Sequence, residues 1–204
     1  MKTTSQEGCV AGVILAAGSS KRFGEPKQLL KWQGEPFITH IARNVLSVGL
    51  GPLILVTGAE TKKIEAAVND LPVKIVYNPD WAQGQSTSMK AGLDALPEGC
   101  QAVMFLLGDQ PQIPVELLRQ LIERYEKHRA PITAPKVGER RGNPVLFSRE
   151  AFPELQGVTG DQGGRAIFDQ FEVDWLPWND EHILLDVDDE ADLEVLRRAY
   201  GEQR

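Results

Sequence analysis

The chain has 204 residues and a net charge of −7, from 22 basic and 29 acidic side chains. At roughly 100 to 200 residues per domain, this length predicts one domain, and the negative charge argues against nucleic-acid binding by bulk electrostatics. The longest apolar run, residues 102–107, is far shorter than the roughly 20 residues that cross a bilayer, and no secretion signal opens the sequence, so we expect a cytoplasmic protein without a membrane partner.

Apolar runs alternate with amphipathic stretches, a pattern typical of parallel strands that are joined by helices. The first half predicts strands at 10–15, 53–57, 74–77 and 103–107. Helices are predicted over 38–46, over 61–68, from a cap at Ser86 to about residue 95, and over 117–125. The second half is less regular. It predicts short strands at 144–148, 173–175 and 183–185, a helix over 163–170 and a final helix over 190–200.

The loop that follows the first strand, residues 15–27, has features of a phosphate-binding site. It leaves the carboxyl end of a buried strand, where α/β sheets place their ligands. Gly18 and Gly24 permit close approach of the backbone, and successive amides can surround an anion. Three side chains add positive charge: Lys21, Arg22 and Lys27. Glu25 and Ser20 break the P-loop and dinucleotide patterns. The loop is therefore either a different phosphate-binding loop or a solvated turn.

Acidic residues follow two of the predicted strands. Asp109 ends the apolar run FLLGDQP, a position that suits magnesium, which takes one or two carboxylates, although an aspartate there can also form a turn. The later run LDVDDE can ligate a metal or cap the last helix. We expect Asp188 or Asp189 to be the cap, which leaves Asp186 as the candidate for a second metal ligand.

Three further polar segments are candidate binding loops. GQSTS, residues 84–88, opens a helix with free amides and can bind an anion, a base or a ribose; the alternative is an ordinary helix start. RRGNP, residues 140–144, and GDQGGR, residues 160–165, combine glycine with charged or amide side chains. These two suit a second ligand pocket or ordinary turns.

Taken in order, these motifs resemble those of the MobA-like nucleotidyltransferases, particularly the molybdenum cofactor cytidylyltransferase branch. The resemblance covers about residues 10–200. It implies a three-layer Rossmann-like α/β nucleotidyltransferase fold with a mostly parallel central sheet, in one domain over residues 1–204. The donor nucleotide would occupy the half at about 10–112 and the acceptor the half at about 113–204. The LAAG sequence of the first loop resembles that of cytidine-using members.

The resemblance also implies roles for individual residues. The catalytic residues would be Lys27, Arg22 and Asp109, and the ligands of Mg²⁺ or Mn²⁺ would be Asp109 and Asp186. Nucleotide binding is carried over to Leu15, Ala16, Ala17, Gly18, Ser19, Ser20, Arg22, Gly24, Lys27, Gly84, Gln85, Ser86 and Ser88. Acceptor binding is carried over to Arg141, Gly142, Asn143, Asp161 and Arg165. Two residues depart from the branch: Asn143 replaces a usual histidine and Gly164 a common alanine.

The implied reaction transfers CMP from CTP to the phosphate of molybdopterin and releases pyrophosphate. A molybdoenzyme or its maturation factor would then be a partner. Two alternatives remain. The chain could transfer a nucleotide to a sugar phosphate or an alcohol phosphate, because such an enzyme could share the donor motifs. It could also be a noncatalytic chaperone that delivers the cofactor to a molybdoenzyme, although the presence of both Asp109 and Lys27 disfavours this.

Overall fold

The computed structural model describes residues 9–19 and 25–201. Ser20, Arg22 and Gly24, which we predict to bind the nucleotide, lie outside these residues. The strands are β1 (Val10–Ala16), β2 (Lys31–Trp32), β3 (Glu35–Pro36), β4 (Leu53–Thr57), β5 (Val73–Tyr77), β6 (Ala102–Leu107), β7 (Ile132–Val137), β8 (Arg140–Arg141), β9 (Val145–Ser148) and β10 (Val173–Pro177). The α-helices are α1 (Phe37–Ser47), α2 (Thr61–Ala67), α3 (Gln85–Asp94), α4 (Val115–His128), α5 (Phe152–Gly157) and α6 (Glu190–Ala199).

Shorter 3-10 segments connect these elements. They span Lys27–Leu29, Trp81–Gln83, Arg149–Ala151, Gly160–Gln170 and Glu181–Leu184. The segment Gly160–Gln170 contains a kink at Gly163, whose φ of 57° is not helical. The predicted helix over 163–170 is therefore present in 3-10 form.

The main sheet has the order β10-β7-β9-β6-β1-β4-β5, and β8 pairs with the carboxyl-terminal end of β7. β6, β1, β4 and β5 run parallel, as do β7 and β10, whereas β9 is antiparallel to both of its neighbours. The predicted mostly parallel α/β sheet is confirmed. Strand β9 from the second half pairs with β6 from the first, so both halves of the chain contribute to one sheet.

Helices cover both faces of the sheet, which explains why its central strands β1, β4 and β6 are almost continuously apolar. Alternate residues of one strand enter different cores: Ile14 of β1 packs with α1, α2, α4 and α6, and Val13 packs with α3, α5 and Gly160–Gln170. Because successive side chains of a strand point to opposite faces, the result is three layers. Within the described residues, no helix is both long and apolar enough to cross a bilayer.

Two local predictions are wrong. Residues 183–185 are not a strand, because Ile183 is buried by a single 3-10 turn that Asp180 caps through the amide of His182. Ser86 does not cap α3, because the helix already begins at Gln85 and Ser86 is buried in its first turn. The expectation that Asp188 or Asp189 caps the last helix is confirmed: Asp189 accepts hydrogen bonds from two amides of α6.

Candidate active site

The loops after β1 and β6 meet because these strands are neighbours in the sheet. Leu15 lies in register with Leu107, and the backbone N–H of Gly108 donates a hydrogen bond of 2.9 Å to the carbonyl of Leu15. A Cβ on Gly108 would lie only 3.1 Å from both Ala16 Cβ and that carbonyl oxygen. Glycine at this position therefore lets Asp109 lie beside the first loop.

Lys27 connects the first loop to two acidic segments. Its Nζ forms an ion pair with Asp109 Oδ2 and a second one with Asp188 Oδ1 at 3.1 Å, and only 17% of the side chain is exposed. Burial alone would lower the pKa of Lys27. The charge of Asp109, with hydrogen bonds to Asp109 and Asp188, outweighs burial and raises that pKa. Lys27 is therefore a fixed positive charge at neutral pH.

Two buried glutamines hold the late acidic segment beside Asp109. Gln110 donates a hydrogen bond of 2.8 Å to Asp186 Oδ1, and Gln112 donates to the carbonyl of Leu185 at 2.7 Å. Partial burial raises the pKa of Asp186, as do the charges of Asp109 and Asp188, and these effects outweigh the charge of Lys27 and the hydrogen bond from Gln110. Asp109 and Asp186 also line one cavity, so both carboxylates are available to a cation bound there.

The donor set fits magnesium better than a metal that needs a full protein cage. Over residues 9–19 and 25–201, no three His, Cys, Asp or Glu side chains form a ready metal cluster. Magnesium takes only one or two carboxylates and fills its other positions with water and phosphate oxygens. Asp109 Oδ1 is buried and accepts no hydrogen bond within this part of the chain. A cation bound with a triphosphate would satisfy that oxygen.

A first cavity of about 360 Å³ lies beside the first loop, and we call it the donor cavity. Its lining includes eight residues predicted to bind the nucleotide: Leu15, Ala17, Gly18, Ser19, Lys27, Gly84, Gln85 and Ser88. It also includes Asp109, which is predicted to be catalytic and to bind the metal. Sequence reasoning missed Gln28 and Trp81 in this lining. Trp81 packs directly on the loop after β4, since a Cβ on Gly58 would lie 2.7 Å from its Cγ.

Of the predicted nucleotide-binding residues that the structure describes, two do not line the donor cavity. Ala16 and Ser86 are 1% and 2% exposed, so their side chains pack inside the protein. Asn78 orders the neighbouring turn, because its side-chain amide donates to Thr87 Oγ1 at 2.8 Å and to Ser88 Oγ at 3.0 Å. The segment GQSTS therefore reaches the cavity mainly through Gln85 and Ser88.

A second cavity of about 380 Å³, which we call the acceptor cavity, adjoins the first. Its lining includes all five residues predicted to bind an acceptor: Arg141, Gly142, Asn143, Asp161 and Arg165. One side of the cavity is apolar and consists of Phe105, Phe147 and Phe168. The ring centroid of Phe147 lies 6.1 Å from that of Phe105 and 6.2 Å from that of Phe168. The guanidinium of Arg141 lies 5.2 Å from the ring centroid of Phe168. The rings meet edge to face, at interplanar angles of 67° and 81°, so this side is apolar but not flat. An apolar side with polar groups around it suits a ligand that is partly apolar and partly polar.

The structure explains one of the two departures from the family pattern. A Cβ on Gly164 would lie 2.6 Å from Cζ of Phe147, which lines the acceptor cavity. An alanine at this position would therefore require the Phe147 ring to move. The other departure, Asn143, also lines this cavity. Both departures thus alter the shape and polarity of the same cavity.

An α/β sheet with a lysine and carboxylates at its strand ends fits an enzyme that transfers phosphorylated groups. Comparison with known proteins identifies the family. The family model described as a MobA-like NTP transferase domain matches residues 12–175. The chain belongs to this family of nucleotidyltransferases.

Named relatives cover nearly the whole chain. Nicotine blue oxidoreductase from Paenarthrobacter nicotinovorans is 33% identical and covers 88% of this chain and 92% of its own length. Molybdenum cofactor cytidylyltransferase from Escherichia coli is 28% identical, with coverage of 93% and 96%. Among solved structures, Rv0371c from Mycobacterium tuberculosis has a TM-score of 0.85 at 27% identity, with coverage of 94% and 99%. Its manganese complex has a TM-score of 0.78 at the same identity and coverage.

Proposed function

We propose that the chain transfers CMP from CTP to the phosphate of molybdopterin and releases pyrophosphate. The observation that carries this proposal is that Asp109 lines both the donor and the acceptor cavity. The α-phosphorus of a nucleotide bound in the donor cavity near Asp109 would therefore be accessible to an acceptor bound in the acceptor cavity. The likeness to the cytidylyltransferase from Escherichia coli supports the choice of CTP and molybdopterin.

The reaction needs positioning and charge neutralisation more than a protein nucleophile. An oxygen of the acceptor phosphate would form a bond to the α-phosphorus of CTP. The bond from that phosphorus to the bridging oxygen would break, and pyrophosphate would leave with its electron pair. Lys27 lines the donor cavity and carries a fixed positive charge, so it would offset the negative charge of the triphosphate and of the leaving pyrophosphate.

Asp109 and Asp186 would hold Mg²⁺ or Mn²⁺, which would neutralise and orient the phosphate oxygens when bound. The manganese complex of Rv0371c supports a divalent metal in this fold. Gln110 and Gln112 keep Asp186 in place, and Asp188 provides Lys27 with a second carboxylate partner. These contacts hold the charged groups in position before either substrate binds.

The lining of the acceptor cavity suits a heterocycle that carries a phosphate. The rings of Phe105, Phe147 and Phe168 offer apolar contact, and Arg141 and Arg165 in the same lining can pair with a phosphate. Asn143 can bond to the amide edge of a pterin. A sugar phosphate would make less use of the aromatic side, and this favours molybdopterin among the phosphorylated acceptors.

The test is pyrophosphate release with CTP, GTP, ATP or UTP, with and without molybdopterin, in the presence of Mg²⁺. We expect release that needs both CTP and molybdopterin. A preference for GTP would indicate guanylyl transfer, and release with a sugar phosphate alone would change the acceptor. Binding of nucleotide and molybdopterin without any release of pyrophosphate would favour the chaperone.

Because one relative is named an oxidoreductase, dye reduction with a reduced nicotinamide cofactor is a parallel assay. Turnover only in that assay would refute nucleotidyl transfer.

A further inference from the structure

The first turn of α3 is held by a residue from the other half of the chain. The helix follows Gly84, which has no side chain to cap it. Instead, the backbone N–H of Gln85 donates a hydrogen bond of 3.1 Å to Oδ1 of Asp161, which is 76 residues away in sequence. The first amides of a helix have no partner inside the helix. The carboxylate of Asp161 therefore satisfies one of them from outside.

Glycines let the two segments approach each other backbone to backbone. Gly84 has a φ of +117°, and a Cβ there would lie 2.6 Å from the carbonyl carbon of Gly160 and 2.8 Å from Asp161 Oδ1. A Cβ on Gly163, whose φ is +57°, would collide with Oε1 of Gln85. Any larger residue at 84 or 163 would both strain the backbone and push the segments apart.

This junction lies between the two cavities. Gln85 and Asp161 belong to the lining of the donor cavity and also to that of the acceptor cavity. Met89, one turn further along α3, lines the acceptor cavity, whereas Ser88 lines the donor cavity. A shift of the first turn of α3 would therefore change both cavities at once.

We propose that Asp161 is a positioning residue that couples the nucleotide site to the acceptor site by holding the first turn of α3 against the GDQGGR segment. This inference rests on the proposed function, because it takes the two cavities as the two substrate sites. Asp161 acts through the amide of Gln85 and does not need its negative charge for direct contact with a substrate. Its loss would weaken the binding of both substrates.

Two variants separate this role from direct contact with the acceptor. Asp161→Ala removes the hydrogen-bond acceptor, and we expect CTP binding, measured by calorimetry without molybdopterin, to weaken about three- to tenfold. The KM for molybdopterin should rise similarly, with less change in kcat. Asp161→Asn keeps a carbonyl oxygen that can accept from the Gln85 amide. Its Kd for CTP and its KM for molybdopterin should therefore be close to those of the unaltered chain. Asp169→Ala, a control at an exposed residue of the same 3-10 segment, should behave like the unaltered chain.

Three results would overturn the coupling role. These are equal losses in Asp161→Asn and Asp161→Ala, a change in the molybdopterin KM alone, or no change at all. If Asp161→Ala does not fold, Asp161→Glu, which displaces the carboxylate from the Gln85 amide by one methylene, tests the same junction, and its unaltered CTP binding would also overturn the proposal. Pyrophosphate release by the unaltered chain separates the two proposals. If that release occurs and the variants behave otherwise than expected, only the coupling role fails; if the unaltered chain binds no nucleotide, both fail.

Discussion

Lys27 and Asp109 come from segments 82 residues apart and form an ion pair where the two cavities meet. Asp188 is a second partner of Lys27, so the lysine stays anchored when Asp109 also binds a cation. In the proposed mechanism, Asp109 would both pair with Lys27 and hold the metal ion. Its removal should therefore affect the chemistry far more than the fold.

We expect Asp109→Asn to lower the rate of pyrophosphate release about 100-fold or more. The reason is that a bound metal supplies several kcal/mol of charge stabilisation to such a reaction. Asparagine has nearly the same shape, and Lys27 keeps its contact with Asp188, so the variant should remain folded by circular dichroism. Mn²⁺ titration followed by electron paramagnetic resonance should show weaker binding. Comparable turnover by the variant would remove Asp109 from the metal site.

Asn143 tests the acceptor side alone, because it lines the acceptor cavity and is not part of the donor-cavity lining. Asn143→Ala would leave a polar partner on the pterin unpaired, at a cost of roughly 1 to 3 kcal/mol. We expect the KM for molybdopterin to rise accordingly while the Kd for CTP stays unchanged. Equal acceptor kinetics in the variant and the unaltered chain would leave Asn143 without a role in acceptor binding.

At the scale of elements, an ion-pair network joins α4 to β10. Asp174 accepts from Arg124 Nε at 2.8 Å and lies 2.6 Å from His128 Nδ1, with only 15% of its side chain exposed. Burial alone would raise the pKa of Asp174, but hydrogen bonds and charges from Arg124 and His128 outweigh it and lower that pKa below 3.8. The network therefore stabilises the fold through the ionised carboxylate.

Asp174→Asn should lower the free energy of unfolding by about 1 to 2 kcal/mol at neutral pH. Because the folded-state pKa is depressed, the contribution is complete above the ordinary value of 3.8 and is lost as the pH falls through the lower folded-state value. Urea unfolding across the acid range should therefore show the stability gap between the two proteins closing at low pH. Asp169→Asn, at an exposed aspartate, is the control and should unfold like the unaltered chain at each pH. A gap that persists below the folded-state pKa would contradict this account.

Elements buried on both faces were predictable from sequence, and short ones were not. Residues of β1, β4 and β6 pack into the cores on both faces of the sheet, so these strands are runs of apolar residues that the sequence shows directly. The two-residue strands β2, β3 and β8 carry no periodicity, and their pairing depends on turns. Ile183 misled the prediction because three apolar residues fit either a strand or a single buried turn.

The site was predictable where neighbouring strands bring motifs together. The positions of Asp109 and the first loop follow from strand ends that meet at one edge of the sheet. The contacts of Lys27 with Asp188 and of Gln85 with Asp161 span 161 and 76 residues. No local pattern encodes such distant contacts. The role of Asp161 at the start of α3 therefore became visible only in three dimensions.

At the scale of the whole molecule, the chain is acidic, and each of its two cavities combines basic side chains with aspartates. The net charge is −7, while Lys27 lies in the donor cavity and Arg141 and Arg165 lie in the acceptor cavity. Under the proposed function, selection of an anionic substrate would depend on these local charges and on a bound metal. Bulk attraction cannot supply it, so nucleotide binding should depend strongly on Mg²⁺.

The stability of the whole protein should report which nucleotide is the donor. A ligand that binds only the folded state adds about 2.7 kcal/mol at 100 times its Kd, which corresponds to roughly 5 to 10 °C in Tm for a chain of this size. We expect CTP with Mg²⁺ to give the largest shift of the four nucleotides, because the first loop resembles cytidine-using members. Chelation of Mg²⁺ should reduce the CTP shift, and Asp109→Asn should respond little to Mg²⁺. A larger shift with GTP would assign the donor cavity to guanine instead.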